Sequence, residues 1–162
     1  MKTSRVCSGT LIALTLAAVL VAAAPAFAAG PFQYHAVTPC RVVDSRTTNA
    51  TEGTTGPGHP LSNGVHTFTM QAQCGIPAGA AALTANFTIV GPSSSGHLTV
   101  WPADVSEPVV STLNFNQGEP ALANGAIVPL AAAASNDLKV RISLDNAPGT
   151  SEFLIDVTGY FQ

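Results

Sequence analysis

Charge is what this sequence has least of. Only 9% of its 162 residues are Asp, Glu, Lys or Arg, against about 25% in an ordinary soluble domain. Beyond residue 28 the only Lys or Arg residues are Arg41, Arg46, Lys139 and Arg141. Four dispersed cations make no basic stripe, which excludes nucleic acid and anionic lipid as electrostatic partners. Helical periodicity is lacking too: after residue 30 hardly any window repeats every 3.6 residues. The alanines from Ala131 to Ala134 make one turn at most, too few to nucleate a helix alone. With no long amphipathic helix between strands, a parallel βαβ architecture is excluded. Catalytic patterns are missing as well. Pro92 stands where a G-x-S-x-G centred on Ser94 needs glycine, and no strand-to-helix elbow follows. His35, His59, His66 and His97 have no H-x-H or H-x-x-x-H spacing. No His and Met follow Cys74 closely, as a copper site would need, and no EF-hand loop occurs. The expectation is therefore no enzyme, no cofactor and no transition-metal site, with one residual candidate: a structural calcium among loop carbonyls and Asp104, Asp137 or Asp145.

What the chain does have begins with a three-part export signal. Lys2 and Arg5 make it positive, Leu11 to Ala24 is an apolar run interrupted only by Thr15 and ended by Pro25, and Ala26-Phe27-Ala28 offers small residues for cleavage after Ala28. That pattern is a secretory signal peptide over residues 1–28, its apolar run shorter than the ~20 residues of a membrane span. Cys7 precedes the run, so it does not sit where a lipidated cysteine would. Residues 29–162 then form one domain of ordinary size, outside the cytoplasm and free of the membrane once the signal is removed. This domain keeps two cysteines, Cys40 and Cys74. An even pair in an exported chain favours a disulfide, the alternative being two buried thiols.

From residue 30 onward apolar and polar residues alternate with period two. Strands are predicted over Phe32–Val37, Arg41–Asp44, Val65–Ala72, Ala82–Val90, His97–Trp101, Val109–Phe115, Gly125–Leu130, Leu138–Leu144 and Phe153–Phe161. Thr38-Pro39 reads as a break. Residues 47 to 64, rich in Thr, Gly and Pro, read as one long loop. Nine short strands separated by turn signals predict an all-β domain, a single antiparallel β-sandwich of jelly-roll type. A closed barrel satisfies the same alternation.

Several segments also resemble a poorly characterised β-rich module of exported bacterial proteins. Pro39-Cys40-Arg41-Val42-Val43-Asp44-Ser45-Arg46 resembles its opening PCRxxD[TS]R. Cys74-Gly75-Ile76-Pro77 matches its CGIP, and Asp156-Val157-Thr158-Gly159-Tyr160-Phe161 its terminal DVxGYF. The segments around Asn86, from Gly96 to Pro102, and around Asn114 and Asn124 resemble blocks lying between them, so the likeness spans Phe32 to Gln162. It implies an extracytoplasmic module, found alone, in tandem or appended to secreted enzymes and surface proteins. It supplies no catalytic residue.

Among the polar residues, Asp44 lies two positions from Arg46 on the same side of an extended strand. Asp44 and Asp156 flank the sheet region, and paired carboxylates are the equipment of glycoside hydrolysis, but with so few charges they read as structural anchors. Arg46, Asn86, Asn114 and Asn124 read the same way, as side chains that satisfy irregular backbone. Trp101, Tyr34 and Tyr160 are candidate ligand contacts, since an amphipathic ring suits a sugar face. The competing reading packs Trp101 in the core beside Leu98 and Val100. The low charge also leaves strand edges weakly guarded and open to self-association. The expected function is a secreted, non-enzymatic surface or matrix module for adhesion or assembly. The alternative is a carbohydrate-binding module for cell-wall or environmental glycans.

Overall fold

A computed structural model describes residues 31–46, 59–132 and 136–162. The predicted signal peptide, most of the loop from 47 to 64 and residues 133–135 of the alanine run lie outside the described residues. Nine strands form: β1 (Tyr34–Asp44), β2 (Leu61–Ser62), β3 (Gly64–Phe68), β4 (Ala82–Val90), β5 (Gly96–Pro102), β6 (Leu113–Phe115), β7 (Leu122–Pro129), β8 (Leu138–Leu144) and β9 (Thr150–Phe161). They make two antiparallel sheets. One has the order β1-β9-β4-β7, with β2 added to the start of β9, and the other the order β3-β8-β5-β6. No ladder joins the sheets among the described residues, so the architecture is a sandwich rather than a closed barrel. Asn124 Nδ2 donates to the carbonyl of Thr112 at 2.7 Å, a side-chain bond between β7 and the approach to β6.

The period-two pattern becomes the core directly. In β4, Leu83, Ala85, Phe87 and Ile89 face inward, while Thr84, Asn86 and Thr88 alternate outward. In β8, Leu138, Val140, Ile142 and Leu144 do the same from the second sheet. Phe153, Ile155 and Val157 of β9 complete the first inner face. Phe68 and Phe153 meet between the sheets with ring centroids 5.8 Å apart. Burying each large apolar side chain contributes about 1.5–3 kcal/mol, which is why strand register is strongly specified here.

Several predicted boundaries shift, each for a local reason. The Thr38-Pro39 break does not divide two strands. The β1 register instead slips between Ala36 and Cys40 and again between Arg41 and Val43. An edge strand with bulges tolerates a proline that has no N–H to donate. Val109 to Thr112 do not join β6. They are held to β5 by side chains, with Thr99 Oγ1 donating to the Val110 carbonyl and Thr112 Oγ1 accepting from the Val100 N–H. The strand predicted to reach Ala72 stops at Phe68. Beyond it the N–H groups of Met70 and Gln71 turn to the two carboxylate oxygens of Asp137, both at 2.8 Å. β7 begins earlier than predicted, at Leu122, and β2 arises inside the stretch read as loop.

Two ties hold the irregular ends. The Cys40–Cys74 disulfide forms, with Cα atoms 5.8 Å apart and the partners separated by 34 positions in the sequence. It anchors β1 to a turn in which Ala72 and Cys74 take left-handed backbone conformations, at φ 63° and 50°. Asp137 is the second tie. Its side chain is fully buried, and its backbone carbonyl accepts from Ala103 and Ala131. Beside it, the buried Gln71 donates to the Ala131 carbonyl and accepts from Gly79.

Replacing Asp137 with Asn puts an NH₂ against one of two N–H donors, so unfolding in urea is expected at about 2–3 kcal/mol lower stability. An unchanged midpoint would show that the carboxylate is not the tie. Removing both cysteines together, as Cys40→Ser/Cys74→Ser, should cost about 3–4 kcal/mol for a closed loop of this length. Thermal unfolding of the oxidised and double-serine proteins measures it.

Candidate functional site

Charged side chains gather first around Arg41, which sits on β1 opposite Asp156 of β9 in the antiparallel register. Its guanidinium binds Asp156 bidentately, Nε to Oδ1 at 2.7 Å and Nη2 to Oδ2 at 2.9 Å, and reaches Asp44 at 3.3 Å. Asp44, nearly buried, also takes both the Nε and Nη2 of Arg46, at 2.9 and 2.8 Å, and the Arg46 backbone N–H at 3.0 Å. Next to it the Ser45 hydroxyl donates to Glu152 and accepts the Phe153 N–H. Asp44 and Asp156 thus share one arginine. All four oxygens of the pair are engaged by cations or backbone, which leaves neither placed as a free acid or base. The Arg46 hydrogen bonds come first in holding the Asp44 carboxyl below the usual carboxylate range, and burial opposes them.

The three aromatic candidates are not brought together. Trp101 lies on β5 of the second sheet, 4% exposed. Its indole N–H meets no acceptor among the described residues. As an exposed ligand platform, Trp101 is therefore corrected to a buried residue: although it points to the outer face of β5, the segment after the strand folds back over that face. Tyr160 turns inward beside Leu83 and is half-buried against the core, its ring stacked on His35 with centroids 4.9 Å apart. Only Tyr34 offers an open ring, 50% exposed. It lies across Gly159, where any Cβ would collide with it, and its hydroxyl donates to the Thr158 carbonyl at 3.3 Å.

The asparagines differ in the same way. Asn124 ties β7 to the Thr112 carbonyl, as described above. Asn86 and Asn114, read from the sequence as backbone anchors, make no side-chain hydrogen bond to the described residues. Both line clefts instead. No cluster of three His, Cys, Asp or Glu side chains able to hold a metal occurs among the described residues. Of the calcium candidates, Asp137 has both oxygens on backbone N–H groups.

Two surfaces stand out. The first is the segment 103–112, which crosses the outer side of β5. It is fastened by Glu107 to Arg141 of β8 at 2.5 Å and by the Thr99 and Thr112 bonds. It presents Val105, Val109 and Val110 to solvent, Val109 completely, and Ile127 of β7 lies nearby and is 63% exposed. A cleft of about 420 Å³ runs beneath, lined by Trp101, Val105, Pro108, Asn124, Ile127 and Val128. On the far side of the segment, His97, Thr99, Glu107, Ser111 and Asn114 line another of about 580 Å³. The second surface is the outer face of the first sheet. There Thr84, Asn86, Gly125, Ile127 and Thr158 surround a shallow trough of about 360 Å³. Gly125 lies directly opposite Asn86, and Asn86 opposite Asp156, so the trough abuts the Arg41–Asp156 pair.

Sequence reading missed Gln71, Ser45 and Gly125. A buried glutamine or serine carries no periodic signal, and a strand glycine is visible but mute until its neighbours are known. No family model, curated protein or solved structure matches this chain.

The Asp44 cluster sets a pH dependence. Its folded pKa is depressed below the unfolded value of about 3.9, so its contribution is fully present above that value. It is lost as pH falls through the folded pKa. The melting temperature is expected to fall more steeply between about pH 4 and pH 2 in the wild type than in Asp44→Asn. Parallel curves for the two proteins would remove Asp44 from the account.

Proposed function

We propose that this protein is an exported, non-enzymatic surface or matrix module that works by adhesion and self-assembly. The observation that carries this reading is the exposure of Val105, Val109 and Val110 on one tethered segment, with the exposed Ile127 of the edge strand β7 across a cleft from Val105. Scattered exposed hydrophobics are ordinary, but three valines on one short segment held in place by side-chain bonds mark a contact surface. β7 adds to it. From Leu122 to Pro129 it carries no charged residue at all, and such an edge lacks the usual guard against pairing with another chain.

Further support comes from how the scarce ionisable groups are used. Asp44, Asp156 and Asp137 are bound to arginines or backbone donors that fix loops and strand ends. The disulfide suits an oxidising compartment, and among the described residues no helix is long and apolar enough to cross a membrane. Export itself rests on the first 28 residues and on the resemblance to modules of exported bacterial proteins.

The double variant Val109→Asp/Val110→Asp leaves the core untouched and places two charges on that segment. In sizing with light scattering across a concentration series, the oxidised domain is expected to form multimers. The variant should need about tenfold higher concentration to do so. A wild-type domain that stays monomeric throughout the series would overturn the reading.

A further inference from the structure

Gly125 has no structural reason to be glycine. It sits in the middle of β7, where the ladder to β4 runs without a register shift, so no bulge requires it. Its φ is not among the positive values that favour glycine. A Cβ built on it meets nothing within 4 Å. A glycine inside a strand is weaker than any residue with a side chain to pack, and one recurrent cause is the close approach of a ligand. The position lies in the trough on the outer face of the first sheet, directly across from Asn86, whose amide has no partner within the described residues.

We propose that this trough is a binding site for a neutral saccharide. The proposal rests on the adhesive reading above and names its ligand class. The lining carries no net charge. Thr84, Asn86 and Thr158 supply hydroxyl and amide groups, Ile127 supplies an apolar surface, and the adjacent Arg41–Asp156 pair is mutually neutralised. That combination matches a pyranose, which has hydrogen-bonding groups around its rim and apolar C–H faces. A charged ligand would find no counter-ion. Over the floor of the trough an extended peptide would find no free backbone to pair with, because β4 is bonded on both sides, to β7 and to β9, and the free edge of β7 lies at the rim. Tyr34 adds an open ring face beyond Thr158, to which its hydroxyl is bonded. A volume of about 360 Å³ is near the lower end for small-ligand sites, roughly 300–1,000 Å³. The trough therefore takes one sugar unit of a chain lying across the sheet.

Gly125→Val tests this without threatening the fold, since the added side chain enters open space and a β-branched residue suits a strand. The probes are soluble neutral polysaccharides, namely a mixed-linkage β-glucan, xylan, mannan and a β-1,3-glucan, in native affinity electrophoresis with the oxidised domain. At least one is expected to retard the wild type. Gly125→Val should lose that retardation at an equal or higher melting temperature, and Asn86→Ala should weaken it about tenfold. Val109→Asp/Val110→Asp should bind sugar as the wild type does, which separates this site from the assembly segment. Retardation by none of the probes, or undiminished retardation of a folded Gly125→Val, would overturn the assignment. Loss of multimers rather than of sugar binding in Gly125→Val would overturn it too, by giving the trough to a second copy of the chain.

Discussion

The closure of two inner sheet faces on one apolar interior is the constraint on which the rest of this molecule depends. β9 is its axis in the first sheet, pairing with β1, β2 and β4 along twelve residues. Its inward side chains Phe153, Ile155 and Val157 are fully buried. A slip of one residue would turn that set to solvent and bring Asp156 inside. Every outward feature inherits its place from this register: Arg41 faces Asp156, Asp156 faces Asn86, and Asn86 faces Gly125.

A chain with so little charge uses several of its ionised groups where backbone order is hardest to obtain. Strands satisfy their own N–H and C=O groups, whereas the irregular segments must find partners elsewhere. Asp137 accepts two consecutive N–H groups at the point where β3 can no longer pair. Asp44 accepts an N–H just past the end of β1 while gathering two arginines. Glu107 and Arg141 hold the 103–112 segment over β5. The disulfide does covalently for the turn at Cys74 what these carboxylates do electrostatically.

Two features stand out on the outer surface of the described residues. One is the valine belt on a tethered segment, the other a trough kept open by a glycine. Both adjoin Ile127, so adhesion to a sugar chain and assembly with another copy would act side by side on the β7 edge of the first sheet. Trp101, one of three candidate contacts in the sequence, is buried at the base of the cleft under the valine-bearing segment. The segment following it doubles back over β5 and buries the ring.

Local alternation was enough to read the fold class, because period-two burial is a property of single strands and needs no knowledge of their partners. Leu83 to Ile89 and Leu138 to Leu144 declare their inner faces from sequence alone, and an even pair of cysteines foretold the disulfide. Strand ends were misplaced where a distant group competes for the backbone: nothing near Met70 announces that Asp137 will take its N–H. The candidate site was legible only in part. Tyr34 and Asn86 drew notice by residue type, but whether a ring is open or covered is settled by what packs on it. By itself the sequence determined which residues turn inward and that no helix would form a layer. Only the tertiary structure decided which outward residues share a surface, since Gly125, Asn86 and Thr158 are neighbours through strand pairing across long separations, and no local pattern encodes that.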